Sequence, residues 1–377
     1  MPLLKTNWNE YLFTKIIPIA WEILLKESCK YITKDDIYAI WPTSIKYVVD
    51  SSSSLADSRP VLWKNILQDI VNLLDPNLQI YRGPSVISSL DNNNSSKGYL
   101  SLRDGYFTDE KSEKISTILE EIGFPLFVKM PSSIIEALKN SKSKSSMRYI
   151  SPDLVCDYLS KNLDMWQNKW NYDYKIELLE YVIQTTNPSA LHNLPLIPLG
   201  DKTFGTFGPR NQQIIKTLCI KNEQSLISQN LSEYIVDNEV KKEIWERLCE
   251  IVESNWNINL KFLDDKDFSC FLERSITGYS SETSEIPLND QVTWIHKLWD
   301  HFVETNRNLD HYEHLPLLII QRRNGPLYLR KLNAEPKCLK YNHKNYYLRE
   351  TINIFDLLGV TFLENKFLTH RVLKWEK

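Results

Sequence analysis

Glycine is scarce in this chain, with 10 in 377 residues. A loop that cradles phosphate needs several close together so that backbone amides can approach the anion. Neither G-x-x-x-x-G-K-[ST] nor G-x-G-x-x-G occurs, and the Gly-x-Ser-x-Gly turn that presents a hydrolase serine is also missing. The 6 cysteines, Cys29, Cys156, Cys219, Cys249, Cys270 and Cys338, stand singly with no Cys-x-x-Cys. That spacing offers neither a zinc ribbon nor a redox dithiol, and so few in so long a chain do not make a disulfide scaffold. Single buried thiols in a reducing compartment are expected. Neither sign of charge dominates. Lys plus Arg is 45 and Asp plus Glu is 48, a formal net charge of −3, so nothing electrostatic favours nucleic acid or an anionic membrane as partner. No apolar run approaches the roughly 18 residues of a membrane span, and no basic segment leads into an apolar one at the N-terminus. No nucleic-acid or membrane partner and a cytoplasmic location are therefore expected.

With 42% hydrophobic and 25% charged residues, the chain has the composition of a globular protein long enough for two or three cores. Its most informative stretch is Leu194 to Phe207. There the apolar run Leu194-Pro195-Leu196-Ile197-Pro198-Leu199 meets a Gly200-Asp201-Lys202 turn and a second run follows, the pattern of a β-hairpin. The same grammar returns at Leu315 to Ile320, turning at Asn324-Gly325 into Leu327-Tyr328-Leu329. An amphipathic helix precedes each hairpin, about Tyr174 to Gln184 and Val292 to Glu304. The latter carries Ile295, Leu298, Trp299, Phe302 and Val303 on one stripe.

At the N-terminus Trp8, Leu12, Ile16, Ile19 and Ile23 line one face of a helix that Pro18 should kink or split. Thr33 is placed to cap a second helix ending at Trp41-Pro42, and Ser151-Pro152-Asp153 to open another. Gly123 should stop the helix Ile115 to Ile122, ahead of a buried strand Phe124 to Val128. Two further helices are expected near Ser225 to Tyr234 and Val240 to Asn255. The polar tract Asn140 to Ser146, with Lys142 and Lys144, reads as a solvated linker. The pattern predicts an α+β fold, helix-rich with repeated β-hairpins and small antiparallel or mixed sheets. It divides into segments 1–140, 141–260 and 261–377. The blocks near 79–128 and 315–363 share the order hairpin, short helix, glycine, apolar strand, as in Leu357-Leu358-Gly359-Val360. They read as diverged copies of one unit or as an independent recurrence of a common grammar.

Side chains that could do chemistry are few. Gly200, Gly205 and Gly208 cluster at the turn and exit of the first hairpin, where a structural use suffices. His296, His301, His311 and His314 lie close in sequence, and Asp300 or Glu313 could complete a metal set. However, a five-residue step rotates His296 and His301 apart on a helix. The carboxylate pairs Asp35-Asp36, Glu120-Glu121 and Asp264-Asp265 are each explained by an exposed face or a helix cap. Trp8, Trp21, Trp166, Trp170, Trp294 and Trp299 fall in helical patterns, which suits either core packing or a protein-binding groove. No catalytic, cofactor-binding or metal-binding residue is assigned, and no cofactor is expected.

An ordered set of phrases resembles the repeat regions of the sacsin-like family. These are Trp8-Asn9-Glu10-Tyr11-Leu12 with Ile17-Pro18-Ile19-Ala20, Ile40-Trp41-Pro42, and Gly123-Phe124-Pro125 through Pro131-Ser132-Ser133. They continue with Ser151-Pro152-Asp153-Leu154-Val155 and Leu194 through Phe207. In that family a repeat opens with a heat-shock-protein-90-like ATPase lobe. The material resembled here follows the lobe, whose acidic catalytic helix and nucleotide glycines have no match; Asp104-Gly105 is an isolated dipeptide. The family's J-domain, ubiquitin-like and zinc-finger modules have no match either. The resemblance implies a non-enzymatic scaffold in cytosolic protein quality control, binding polypeptide clients or other chaperones. It also implies the non-catalytic part of a repeat, as a truncated relative or a piece of a longer product. Two other readings stand beside it: an enzyme of unrecognised type with a pocket near His296 to His314, and a structural spacer severed from an ATPase lobe.

Overall fold

Proline 18 sets the form of the first helix. In the computed structural model α1 (Asn7–Tyr11) and α2 (Ile17–Ser28) are joined by a π-helical turn, Leu12–Ile16, with Pro18 in the first turn of α2. A proline has no N–H to return to the preceding turn and its ring needs room there; the wider turn supplies it. The structure describes residues 7–32, 34–42, 59–84, 98–110, 112–211, 215–254, 256–280, 282, 285–287, 291–305, 307–321, 327–334 and 362–363.

The chain forms two compact units, Met1–Leu194 and Pro195–Lys377, and their boundary falls inside the expected 141–260 segment. In the first unit α2 packs on α3 (Arg59–Leu73). The side of the helix that reaches the core carries Leu25, with Phe13, Ile17 and Trp21 packed against the cluster. This stripe lies beside the one read from sequence. The helix is apolar on two sides, and periodicity alone does not say which meets the core. Next come β1 (Tyr81–Arg82) and β2 (Tyr99–Leu100), paired antiparallel, and α4 (Ser116–Glu121). Gly123, at φ +76°, ends α4 as expected. The Gly123 amide donates to Glu120 O and the Phe124 amide to Leu119 O, closing the helix with paired C-terminal bonds. The strand expected at Phe124 to Val128 is reduced to a single parallel bridge between Leu126 and Tyr106.

α5 (Ser132–Lys139) leads into the tract read as a solvated linker, which is instead a 3-10 turn, Lys142–Ser146. Ser141 and Ser143 are buried. The Ser141 hydroxyl donates to Leu138 O and accepts the Ser143 amide, so the polar tract satisfies its own backbone and needs no apolar anchor. α6 (Pro152–Lys161) opens as the sequence indicated, with Ser151 as N-cap, and α7 (Leu163–Trp166) and α8 (Tyr172–Val182) complete the unit. Gly105 also has a definite role. A Cβ there would lie 2.2 Å from the Phe127 ring, so the missing side chain is what lets that ring pack.

The second unit begins with the first hairpin. β3 (Ile197–Pro198) and β4 (Phe204–Gly205) pair antiparallel. Lys202, not a glycine, takes the left-handed conformation of the turn at φ +62°, and its ammonium is held by Asp237 at 2.8 Å. Gly200 serves close approach instead, since a Cβ there would meet the Gln224 amide at 2.8 Å. β5 (Lys216–Leu218) then pairs in parallel with β6 (Leu260–Phe262) across α9 (Lys221–Gln224) and α10 (Lys242–Glu253). The helix expected near Ser225 to Tyr234 is instead a turn and a 3-10 segment, Gln229–Tyr234, and α9 ends just ahead of it at Gln224.

α11 (Asp265–Ser275), β7 (Glu285–Pro287) and α12 (Val292–Thr305) come next, followed by the second hairpin, β8 (Pro316–Gln321) and β9 (Leu327–Lys331). With β10 (Phe362–Leu363) these strands form a four-stranded antiparallel sheet in the order β10-β8-β9-β7. Ile295, Leu298, Trp299 and Phe302 of α12 are buried against it, while Val303 is exposed. Each unit has its own apolar cluster, and the architecture is α+β.

Several expectations fall outside the described residues: the Thr33 cap, the Asn324-Gly325 turn, Cys338 and the helix–glycine segment 352–359 of the second block. The final strands of the two blocks join differently, by a parallel bridge to Tyr106 in one and by antiparallel pairing with β8 in the other. Among the described residues no helix is long and apolar enough to cross a membrane.

Candidate functional site

The four histidines that the sequence groups together are separated by the fold. His296 is half-buried, His311 and His314 are exposed, and His301 alone is buried. Arg307 and Tyr312, which follow α12, and side chains from two other helices, Glu223 of α9 and Asp265 and Phe268 of α11, join His301 in a different constellation. The guanidinium of Arg307 pairs with both Glu223 of α9 and Asp265 of α11, which lie 84 and 42 positions away in sequence. Tyr312 donates its hydroxyl to Asp265 Oδ1 at 2.9 Å. The Phe268 ring lies 4.8 Å from the guanidinium carbon, and the His301 ring stands edge-on to Phe268. Glu223 has a second task, accepting the Ile220 amide at the start of α9 at 3.1 Å. Asp264 accepts the Asp267 amide at 2.7 Å and caps α11, as expected, whereas its neighbour Asp265 is drawn into this partly buried node and not onto an exposed face.

Burial lowers the pKa of His301 and outweighs the opposing pull of Glu223, whose Oε1 lies 3.6 Å from Nε2. The Tyr312 hydroxyl is pushed up by burial and by its bond to Asp265. At neutral pH the imidazole is thus uncharged and the phenol protonated. The Nε of Arg307 and the Nε2 of His301 are buried without a hydrogen-bond partner among the described residues. The node ties α9, α11, α12 and the loop after it together through contacts internal to the protein. Among the described residues no group of three or more His, Cys, Asp or Glu is placed to hold a metal ion. Burial raises the Cys156 and Cys219 thiols to about 12, away from the reactive thiolate. Against the expectation of buried thiols, Cys249 is half-buried and Cys270 lies exposed on the outer side of α11.

A surface cavity of about 230 Å³ opens in the first unit where the end of α4 meets α7 and α8. Ile122 and Trp170 form its buried floor, Met165 a half-buried wall, and Tyr174, Lys169 and Glu121 an exposed rim. Trp170 stacks at 5.3 Å on the buried Trp166, whose indole donates to Leu159 O. Asn171 accepts the Tyr174 amide at 3.0 Å and so starts α8 directly beside the cavity. Tyr158 donates to Ile122 O at 3.0 Å from below.

The remaining helical tryptophans divide between the two uses open to them. Trp21, Trp294 and Trp299 pack in or against the cores and donate to Ile40, Leu226 and Leu317 carbonyls. Trp8 is exposed.

The chain is 21% identical over 341 residues to sacsin of Homo sapiens, an alignment that covers 82% of this chain and 7% of that protein. The chain therefore spans a small fraction of the relative it matches. This similarity points to a sacsin-like relationship. No family model and no solved structure matches the chain.

Proposed function

We propose that this chain is a non-enzymatic, sacsin-like scaffold that holds polypeptides, clients or other chaperones, in cytosolic protein quality control. In this reading it corresponds to the part of a repeat that follows the ATPase lobe. The observation that carries the proposal is the cavity between α4, α7 and α8. At about 230 Å³ it falls below the range of about 300–1,000 Å³ in which small molecules are enclosed, and it has the size of one large side chain. A floor of Trp170 and Ile122, a methionine wall that can repack, and a polar rim of Lys169, Glu121 and Asn171 with Tyr174 are features of sites that anchor a side chain and tolerate varied flanking sequence. The similarity to sacsin supports the chaperone setting. The grouped histidines, by contrast, lead to a node whose charged groups are engaged with one another.

The test is suppression of aggregation of a thermally unfolding client by the purified chain without ATP. The expected outcome is suppression that drops severalfold in a Met165→Glu, Tyr174→Ala variant whose own unfolding temperature is unchanged. No suppression by excess chain, or suppression that depends on ATP, would sink the proposal.

A further inference from the structure

The tract that reads as a linker in the sequence carries cations and no carboxylate. Between Ala137 and Pro152 the charged residues are Lys139, Lys142, Lys144 and Arg148, in a chain whose net charge is −3. The fold holds them on an ordered platform. Gln68 of α3 donates to Ala137 O at 3.0 Å, and Asn72 accepts the Lys142 amide at 3.3 Å. At the far end the Phe107 amide donates to Arg148 O at 2.8 Å and the Ile150 amide to Phe107 O at 3.0 Å. Ser143 is buried between Lys142 and Lys144, while both lysines are exposed, as are Lys139 and Arg148. The carboxylates of the helix before the turn and of α3 are engaged elsewhere. Glu136 pairs with Lys64 at 2.7 Å, Asp75 accepts the Asn77 amide at 2.9 Å, and the cation that acts on Asp69 is Lys15. Arg148 rests 4.2 Å over the Tyr106 ring, a contact that holds the guanidinium without neutralising it. Among the described residues none of the four cations has an ion pair.

We propose that Lys139, Lys142, Lys144 and Arg148 form a docking surface for an acidic polypeptide segment, one with several carboxylates in a short stretch. A single exposed ion pair contributes little. Cations of one sign, fixed in place and without internal partners, instead present a common field to a matching strip of carboxylates. Because the turn is already ordered, binding does not have to arrange it. The reach of the field favours a short acidic segment over a longer polyanion. At physiological salt charges act over about 8 Å, so such a segment meets the local cations. Nucleic acid or a membrane surface would spread over the rest of the chain, where acidic residues outnumber basic ones. The surface lies on α5 and the turn after it, and its docking role does not rest on the cavity between α4, α7 and α8.

The test is a titration of the full chain, up to about 1 mM, into short peptides that carry an uncharged dye, read by fluorescence anisotropy. One peptide bears a run of glutamates and its control bears glutamines at the same places. The glutamate peptide should bind and the glutamine peptide should not. Raising the salt from about 0.05 to about 0.5 M should weaken the binding about tenfold. Lys142→Glu, Lys144→Glu should also weaken it about tenfold, because attractions become repulsions, with the wild-type unfolding temperature since both side chains are exposed. Lys142→Gln, Lys144→Gln removes the attraction without adding repulsion and should fall between. No binding of the glutamate peptide, equal binding of the glutamine peptide, or binding unchanged in both double variants overturns the inference. So does tighter binding of a single-stranded oligonucleotide or a phosphatidylserine vesicle that the same variants abolish, since the tract would then be a general polyanion surface.

Discussion

His301 shows how far a single residue can be read in advance. Sequence neighbourhood singled it out with His296, His311 and His314, but the five-residue step along α12 turns His296 away and His311 and His314 are exposed beyond the helix. Its real neighbours are Glu223 and Arg307, and no local pattern announces either. Arg307 reaches across 84 positions to one carboxylate and 42 to the other, and each of the three side chains alone reads as a solvated charge. The node has a consequence for pH. The folded-state pKa of His301 lies below its ordinary 6.5, so below that value the unfolded chain takes up the proton more readily than the folded one. The resulting contribution to stability is complete above pH 6.5 and is lost as the pH falls through the folded-state value. Urea unfolding of the wild type should accordingly give a lower midpoint at pH 5.5 than at 7.5. His301→Gln, which cannot titrate, should show a smaller drop than the wild type; an equal drop would assign the dependence to other groups.

Among elements, the hairpins were the most legible, because alternation and turn residues are local signals. The opening hairpin forms where its pattern places it, yet its left-handed residue is Lys202, in a turn that already contains a glycine. The side chain's pairing with Asp237 explains why a lysine is used at a position glycine would fill with less strain. What secures the exit of the hairpin was invisible. Asn259, buried just before β6, accepts the Gly208 amide at 2.9 Å and donates through its own amide to Thr206 O at 3.0 Å. An asparagine beside a strand ordinarily reads as a turn residue, and its partners lie about fifty positions earlier. Asn259→Leu would leave that N–H and that carbonyl unsatisfied in a buried place. Each should cost about 1–3 kcal/mol, and chemical denaturation should register a loss near the sum. Asn259→Asp, which keeps the acceptor and loses the donor, should fall between leucine and wild type. Helix N-termini with their own signals, such as Ser151-Pro152, were readable for the same reason that hairpins were. The N-terminal helix was readable in its existence and its break, but not in orientation. Two apolar stripes compete there, and only the tertiary contacts of Phe13, Ile17, Trp21 and Leu25 decide between them.

For the whole molecule, composition correctly indicated more than one core, and the α+β class followed from helices alternating with short hairpins. Each of Met1–Leu194 and Pro195–Lys377 encloses its own apolar cluster, which is what an independently folding unit requires. Produced separately, each segment should show one cooperative thermal transition by circular dichroism. A segment that melts without a transition would mean that its cluster is insufficient by itself. The cavity proposed to hold polypeptides lies wholly in the first segment and should retain its binding there.

The parallel pairing of β5 with β6 also sets an order in time. In the first unit Tyr81 meets Leu100 and Tyr106 meets Leu126 across short stretches, whereas Phe107 waits for Tyr149. In the second unit Thr217 meets Ile235 early, but Lys216 to Leu218 gain β6 only after α9 and α10 have been made, and β8 waits for Phe362 to gain its second neighbour. Until those partners have been made, one side of β5 and one side of β8 are unpaired strand edges, and there the nascent chain is open to pairing with another chain.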